Sequence, residues 1–94
     1  MKVGASVAVA RRGGTSATFD ELNKYFTISG MPVVSSQYWN SVHGCQPGEA
    51  AQDAEGLQTM RVLARNMARM LRAGLLASED RPEPEERVVT SFIR

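Results

Sequence analysis

The run from Val3 to Ala10 is the feature that most constrains what this chain can fold into. It contains only Val, Ala, Gly and Ser, and it stops abruptly at Arg11-Arg12-Gly13-Gly14-Thr15. A short uncharged run without polar alternation is typical of a strand covered on both faces, as in parallel sheets. Because ligands of open α/β sheets bind beyond the carboxyl ends of the strands, we expect residues 11–15 to lie at a binding site.

The next segment predicts a helix and a second strand. Gly13 and Gly14 allow unusual backbone angles, and Thr15, Ser16 or Thr18 can cap a helix; Thr18 with Glu21 fits a capping box. Apolar residues then recur at helical spacing, at Phe19, Leu22 and Phe26. Gly30 predicts the helix end, and the proline-opened apolar run 31–36 predicts another strand. Strand, helix and strand together predict a right-handed parallel crossover.

Residues 37–52 break this pattern and predict a long loop at the carboxyl end of the second strand. The loop contains Tyr38, Trp39, His43 and Cys45. Its aromatic residues either stack on a flat ligand or pack against a neighbouring segment or subunit. No third group orients His43 beside Cys45, so we expect no cysteine catalysis.

A second helix, about five turns long, is predicted after this loop. Asp53 and Glu55 suit its amino end, and Gly74 suits its carboxyl end. The predicted apolar face consists of Leu57, Met60, Leu63, Ala64, Met67 and Leu71. Arg61, Arg65, Arg69 and Arg72 are expected to form a solvated or ion-pairing stripe. The acidic, proline-containing tail 78–94 predicts disorder or an extended arm. Its segment 88–93 favours either a strand added to a sheet edge of this or another subunit or a frayed end.

Composition excludes several classes of function. With 94 residues and a formal net charge of +1, the chain has no basic excess that would favour nucleic acid. One cysteine and one histidine provide neither an internal disulfide nor a conventional zinc site. No apolar run approaches the roughly 20 residues that span a bilayer, and no cleavable signal pattern is visible. We therefore expect a soluble, cytoplasmic protein without metal or membrane contact.

The ordered series of motifs between about residues 2 and 73 resembles the C-terminal half of flavodoxin-like NAD(P)H-dependent FMN reductases, which include the iron-sulfur flavoproteins. The matching stretches are Lys2-Val3-Gly4-Ala5, Val9 to Gly14, Leu22 to Phe26, Ser29 to Val34, Tyr38-Trp39-Asn40, Pro47-Gly48-Glu49, Gln52-Asp53 and Glu55 to Thr59. The resemblance implies a partial flavodoxin-like parallel sheet of β-α-β-α type over residues 1–77. These two strands would be the fourth and fifth of five, and another chain or oligomerisation would complete the sheet.

The same resemblance implies the cofactors and the binding residues. The family passes reducing equivalents from NAD(P)H through FMN to an acceptor. Its loop near the flavin ring edge corresponds here to Arg11, Arg12, Gly13, Gly14 and Thr15, and Tyr38 and Trp39 correspond to residues near the flavin or the subunit interface. The spacing of residues 11–15 is compatible with a solvated turn and with a ligand site, and by itself it does not distinguish the two.

The family's phosphate-holding loop belongs to the first three strands, which this sequence lacks. We therefore expect either a flavin-dependent oxidoreductase, possessing only half of its site in this chain, or a noncatalytic assembly module that retained the scaffold. In both cases we expect a homo-oligomer or pairing with a missing N-terminal half.

Overall fold

The computed structural model of the protein describes residues 2–74, 79 and 81–92. Its elements in chain order are β1 (Ala8–Ala10), α1 (Thr15–Ile28), β2 (Ser41–His43), a short 3-10 helix (Glu49–Gln52) and α2 (Ala54–Arg72). The two strands are parallel, with Val9 opposite Val42. The predicted α/β architecture of β-α-β-α type is therefore confirmed.

The strand positions differ from those expected. Of the run 3–10, only Ala8–Ala10 forms a regular strand, and Gly4 makes an isolated parallel bridge to Val33. The predicted strand 31–36 contributes only that bridge, whereas β2 lies inside the predicted loop 37–52. Placing the second strand at 31–36 and treating 37–52 as one loop was therefore wrong.

A pair of buried polar residues explains why the pairing is interrupted. Asn40 Nδ2 donates to the Ser6 carbonyl oxygen at 3.0 Å, and Ser6 Oγ donates to Asn23 Oδ1 at 2.6 Å. These side-chain bonds satisfy polar groups between the bridge at Gly4 and the ladder that begins at Ala8. Both ends of the segment 33–43 thus pair with the first run, while residues 35–39 leave the sheet.

Helix α1 begins without the predicted capping box. Its N-cap is Gly14, with φ 91°, and no side chain caps it. Thr18 Oγ1 instead donates to the Gly14 carbonyl oxygen at 2.9 Å, and Glu21 accepts from Lys24 at 3.0 Å. A glycine with left-handed backbone angles starts the helix four residues earlier than the Thr18–Glu21 pattern predicts. The predicted stop at Gly30, with φ 67°, is confirmed.

Helix α2 faces the sheet through smaller residues than predicted. The buried positions are Gly56, Thr59 and Leu63, whereas Ala64 and Leu71 of the predicted face are exposed. At Gly56, a Cβ atom would lie 3.0 Å from the Ser41 carbonyl oxygen, so the absence of a side chain lets α2 approach β2 closely. Helical spacing located the helix, but the deepest contact is made by a glycine and a threonine that hydrophobicity does not mark.

The hydrophobic core is small. Among the described residues its buried apolar side chains are Ala8, Val34, Val42 and Leu63, one from each strand, one from the bridge segment and one from α2. Described tail residues 81–92 are exposed and form no regular structure, so the predicted edge strand is not seen at 88–92. The predicted domain boundary at residue 77 lies outside the described residues. So does Ile93, the last residue of the predicted segment 88–93. In the described part of the chain, no helix is both long and apolar enough to cross a membrane.

Candidate functional site

Residues Arg11–Thr15, here called the glycine corner, lie at the carboxyl end of β1, as predicted. Arg11, Arg12 and Gly13 are exposed, and no atom of the described residues lies within 4 Å of where a Cβ atom of Gly13 would stand. Gly14 has left-handed backbone angles and Thr15 is buried. The corner therefore presents open backbone beside two guanidinium groups.

The amino end of α1 adds positive potential to the corner. No side chain caps this end, and the first turn contains no acidic residue. The first amide N–H groups of a helix have no partner within the helix, and together with the helix dipole they favour an anion. The corner is therefore suited to a negatively charged or electron-rich group.

The carboxyl end of β2 has a different arrangement, since its amides are bound by a carboxylate of the chain itself. Asp53 Oδ1 accepts from the Gly56 amide at 2.9 Å, and Oδ2 accepts from the His43 amide at 2.8 Å. These bonds, the Gly56 bond first, hold the pKa of Asp53 below its ordinary value of 3.8. One side chain thus caps α2 and fixes the end of β2.

Glu49 plays the same part in the turn that follows β2. Its Oε2 atom accepts from the amide of Cys45 at 2.7 Å and from that of Gln46 at 2.9 Å. The bonds from Gln46 and Cys45 lower the pKa of Glu49 below 4.5. Two carboxylates therefore occupy the donor groups at the carboxyl end of β2.

An open depression of about 350 Å³ lies at the carboxyl ends of the two strands. It is lined by Arg11, His43, Gly44, Cys45, Glu49, Gln52 and Asp53. Of the predicted site residues, it includes Arg11. His43, the last residue of β2, and Cys45, in the turn after it, were not selected as site residues; both line the depression because the strand lies later in the chain than predicted.

Tyr38 and Trp39 lie at the other end of β2. They precede the strand, so they are not in a loop at its carboxyl end, and that placement was wrong. The Trp39 ring centre is 5.8 Å from that of Phe19 and 6.2 Å from that of Tyr38. These rings pack on one another and on α1, yet Tyr38 remains 60% and Trp39 57% exposed.

The aromatic rings form one wall of a cleft of about 420 Å³ between α1 and residues 33–40. We call it the aromatic cleft. Phe19 belongs to it and follows Thr15 by about one turn of α1, so the cleft adjoins the glycine corner along that helix. The seven predicted site residues are therefore divided between two adjacent surfaces.

Asn40 is a residue of the aromatic cleft to which we assigned no role on sequence grounds. It is 1% exposed, and within the described residues its Oδ1 atom has no hydrogen-bond partner. An unsatisfied buried acceptor of this kind costs about 1–3 kcal/mol. The sequence signal that could have marked Asn40 was its side-chain amide directly after two aromatic residues, in a segment that was predicted to be a loop.

One named protein shows similarity over most of this chain. An iron-sulfur flavoprotein of Methanocaldococcus jannaschii is 33% identical over 78 residues. The match covers 76% of this chain and 40% of that protein, so the chain spans less than half the length of the relative. No protein-family model matches the chain, and no solved structure matches it significantly.

Proposed function

We propose that this chain forms part of the FMN site of an NAD(P)H-dependent flavoprotein reductase. The observation that carries the proposal is the glycine corner, open and uncapped at the carboxyl end of β1, in a chain similar to a protein named as a flavoprotein. The catalytic role follows the resemblance to flavodoxin-like reductases. In that role NAD(P)H is the electron donor and a further molecule is the acceptor.

The residues of the glycine corner fit the edge of a flavin ring. Gly13 leaves space for backbone to approach a planar group, and Gly14 lets the chain turn at once into α1. Arg11 and Arg12 supply positive charge for the electron-rich edge or for a phosphate. Bound FMN would supply the hydride and electron chemistry, while the chain positions the ring.

The aromatic cleft is the second surface of the proposed site. Tyr38 and Trp39 expose ring faces beside α1, and planar cofactor rings stack on such faces. Phe19 connects this surface with the corner through its contact with Trp39. We infer that these rings border the cofactor or the nicotinamide, and that they act through packing rather than proton transfer.

The residues do not fit the iron-sulfur part of the relative's name. Clusters of this type are held by several cysteine thiolates, and the chain has one cysteine. Within the described residues, no group of three potential metal ligands comes together. We therefore propose flavin chemistry without a cluster bound by this chain alone.

The direct experiment titrates the purified full chain with FMN and then adds NADPH. Trp39 is the only tryptophan, so its quenching reports occupancy beside the aromatic cleft, while flavin fluorescence reports binding itself. We expect saturable quenching of both signals, followed by NADPH oxidation. Neither quenching nor turnover, together with a stable oligomer by light scattering, would contradict the proposal and favour the noncatalytic assembly module.

Gly13→Val separates the proposed contact from the fold. A side chain there has free space in the protein, but it would occupy the position of a ligand. We expect FMN affinity to fall by about tenfold or more, equal to about 1.4 kcal/mol. Ala51→Val, at an exposed position of the 3-10 helix, is the matched control and should leave affinity unchanged.

A further inference from the structure

One edge of β1 has no partner in the described part of the chain. The sheet has two strands, and Ala8 and Ala10 direct their main-chain groups toward β2. The Ala8 amide donates to the main-chain carbonyl oxygen of Asn40 at 3.0 Å, and the Gly44 amide donates to the carbonyl oxygen of Ala10 at 3.1 Å. Alternate residues of a strand point to opposite edges, so Val7 and Val9 direct their amides and carbonyls to the free edge. Their side chains are 43% and 63% exposed.

The tail supplies a segment that suits this edge. Residues 88–92, Val-Val-Thr-Ser-Phe, consist mainly of β-branched and aromatic residues and form no strand of their own. Val88 and Phe92 are both 90% exposed. The chain thus presents an unpaired strand edge and an unpaired β-forming segment at once.

Charge fixes the relative direction of the two segments. The basic pair Arg11-Arg12 follows β1, and the acidic pair Glu85-Glu86 precedes Val88. Antiparallel pairing of Val9 with Val88 sets Arg11 opposite Glu86 and Arg12 opposite Glu85. A parallel arrangement would carry the acidic pair away from the arginines.

The same register agrees with the apolar and hydrogen-bonding patterns. It places Val88 beside Val9 and Thr90 beside Val7 on one face of the sheet. Val7 and Val9 would each exchange two main-chain hydrogen bonds with their partners. Pro84, which lacks an amide hydrogen, falls opposite Gly13, where β1 has already given way to the corner.

We propose that residues 85–92 of one copy add as an antiparallel strand to the β1 edge of a second copy, and that the exchange is reciprocal. One copy of the chain exposes both the β1 edge and the tail segment. In a two-fold dimer, the tail of each copy covers the β1 edge of the other through the same contacts. The two copies form a sheet extended at β1 by the partner's tail. The interface uses Arg11 and Arg12 of the glycine corner, but it requires no bound flavin to form.

Light scattering of the full chain at micromolar concentration tests the dimer. Thr90→Pro removes the amide that would bond to Val7, and it cannot disturb the fold because the tail residue is exposed. We expect a dimer whose dissociation constant rises by about tenfold or more in this variant. A wild-type monomer, or an oligomer that Thr90→Pro leaves unchanged, would overturn the proposal.

Charge reversal tests the register. Glu85→Arg with Glu86→Arg should weaken the dimer by about tenfold, and adding Arg11→Glu with Arg12→Glu should restore it. Reversal at Glu79, an exposed acidic residue outside the pairing, is the control and should have no effect. Absence of restoration would contradict this register.

Disulfide trapping tests whether the pairing is between copies. Val9→Cys and Val88→Cys are made in separate chains, each with Cys45→Ser, and the two chains are mixed under oxidising conditions. Opposed residues of an antiparallel pair lie within disulfide reach, so we expect a cross-linked heterodimer. Val89→Cys, on the opposite face, should link poorly to Val9→Cys. Equal linking by both tail variants, or none, would refute the exchange.

Sizing with and without FMN separates this inference from the proposed function. A dimer that depends on the tail but does not bind FMN supports strand exchange and rejects the flavin site. A monomer that binds FMN supports the flavin site and rejects strand exchange.

Discussion

The two helix starts of this protein stand in the same place in the fold and are built in opposite ways. Each follows the carboxyl end of a strand, α1 after β1 and α2 after β2. Asp53 caps α2 with its own carboxylate, and Glu55 lies in the first turn of that helix. Helix α1 begins at Gly14 with no side-chain cap and no acid in its first turn.

This difference distinguishes a helix start that the chain caps itself from the helix start that we propose as the binding end. At α2 the chain provides the anion that the helix amides favour, so the need for a partner is met internally. At α1 no such carboxylate is present among the described residues, and Arg11 and Arg12 lie just before the left-handed Gly14, an arrangement that favours an anion. The candidate site therefore lies at the helix start that the protein does not complete for itself.

The largest expected effect removes the internal anion. Asp53→Ala frees the amides of His43 and Gly56 together, and both lie where α2 packs on β2. We expect a loss of stability larger than that caused by any substitution at Gly13 or Gly14, measured as a lower urea midpoint. Asp53→Asn retains one acceptor oxygen, so its urea midpoint should lie between those of Asp53→Ala and the unaltered chain. A midpoint equal to that of the unaltered chain would show that the α2 end needs no cap.

At α1 the corresponding change should affect binding and leave the fold intact. Gly13→Val is expected to weaken FMN binding by about tenfold while changing the free energy of unfolding by less than about 0.5 kcal/mol. Urea unfolding and fluorescence titration of the same preparation check both parts. Loss of stability without loss of affinity would indicate that the corner is a structural turn.

Gly14→Ala measures the cost of starting α1 with left-handed backbone angles. The φ of 91° disfavours any Cβ atom, whereas nothing nearby would clash with it. We expect a loss of about 1–2 kcal/mol in unfolding free energy. Gly13→Ala, one residue earlier, is the matched control and should be close to neutral. Equal effects of the two changes would contradict the assigned backbone.

The pH dependence of stability should come from the α2 side of the comparison. Asp53 and Glu49 both have lowered pKa values in the folded protein, so their bonds stabilise it above the ordinary values of 3.8 and 4.5. This stability is lost as the pH falls through the lowered values. The thermal unfolding temperature, measured between neutral pH and strong acid, should therefore decline below about pH 4.5. This decline should be less steep in Asp53→Asn. An unchanged slope in that variant would argue against the Asp53 bonds.

The sequence predicted one helix start well and the other poorly for a physical reason. Asp53 is a standard capping residue immediately before a helical pattern, so its role could be inferred from type and position. At α1, Thr18 and Glu21 matched a capping pattern, but the backbone freedom of Gly14 allowed an earlier start that the pattern does not encode. Residue types predict a side-chain cap more readily than a backbone geometry.

The second strand shows what composition alone conceals. Residues 32–34 are more apolar than 41–43, yet the regular ladder forms at Ser41–His43. The contacts that hold this segment come from outside it: Asn40 donates to the Ser6 carbonyl oxygen, and Asp53 accepts from the His43 amide. Because these partners are distant in sequence, the position of Tyr38 and Trp39 relative to the strand could not be predicted from the local pattern.

The most direct test of the contrast follows backbone amide resonances during an FMN titration. The open helix start predicts large, saturable shifts at residues 13–17, with no comparable change at residues 53–56, where Asp53 already accepts the amide bonds. Equal shifts at both helix starts, or none at residues 13–17, would contradict the assignment of the glycine corner as the binding end.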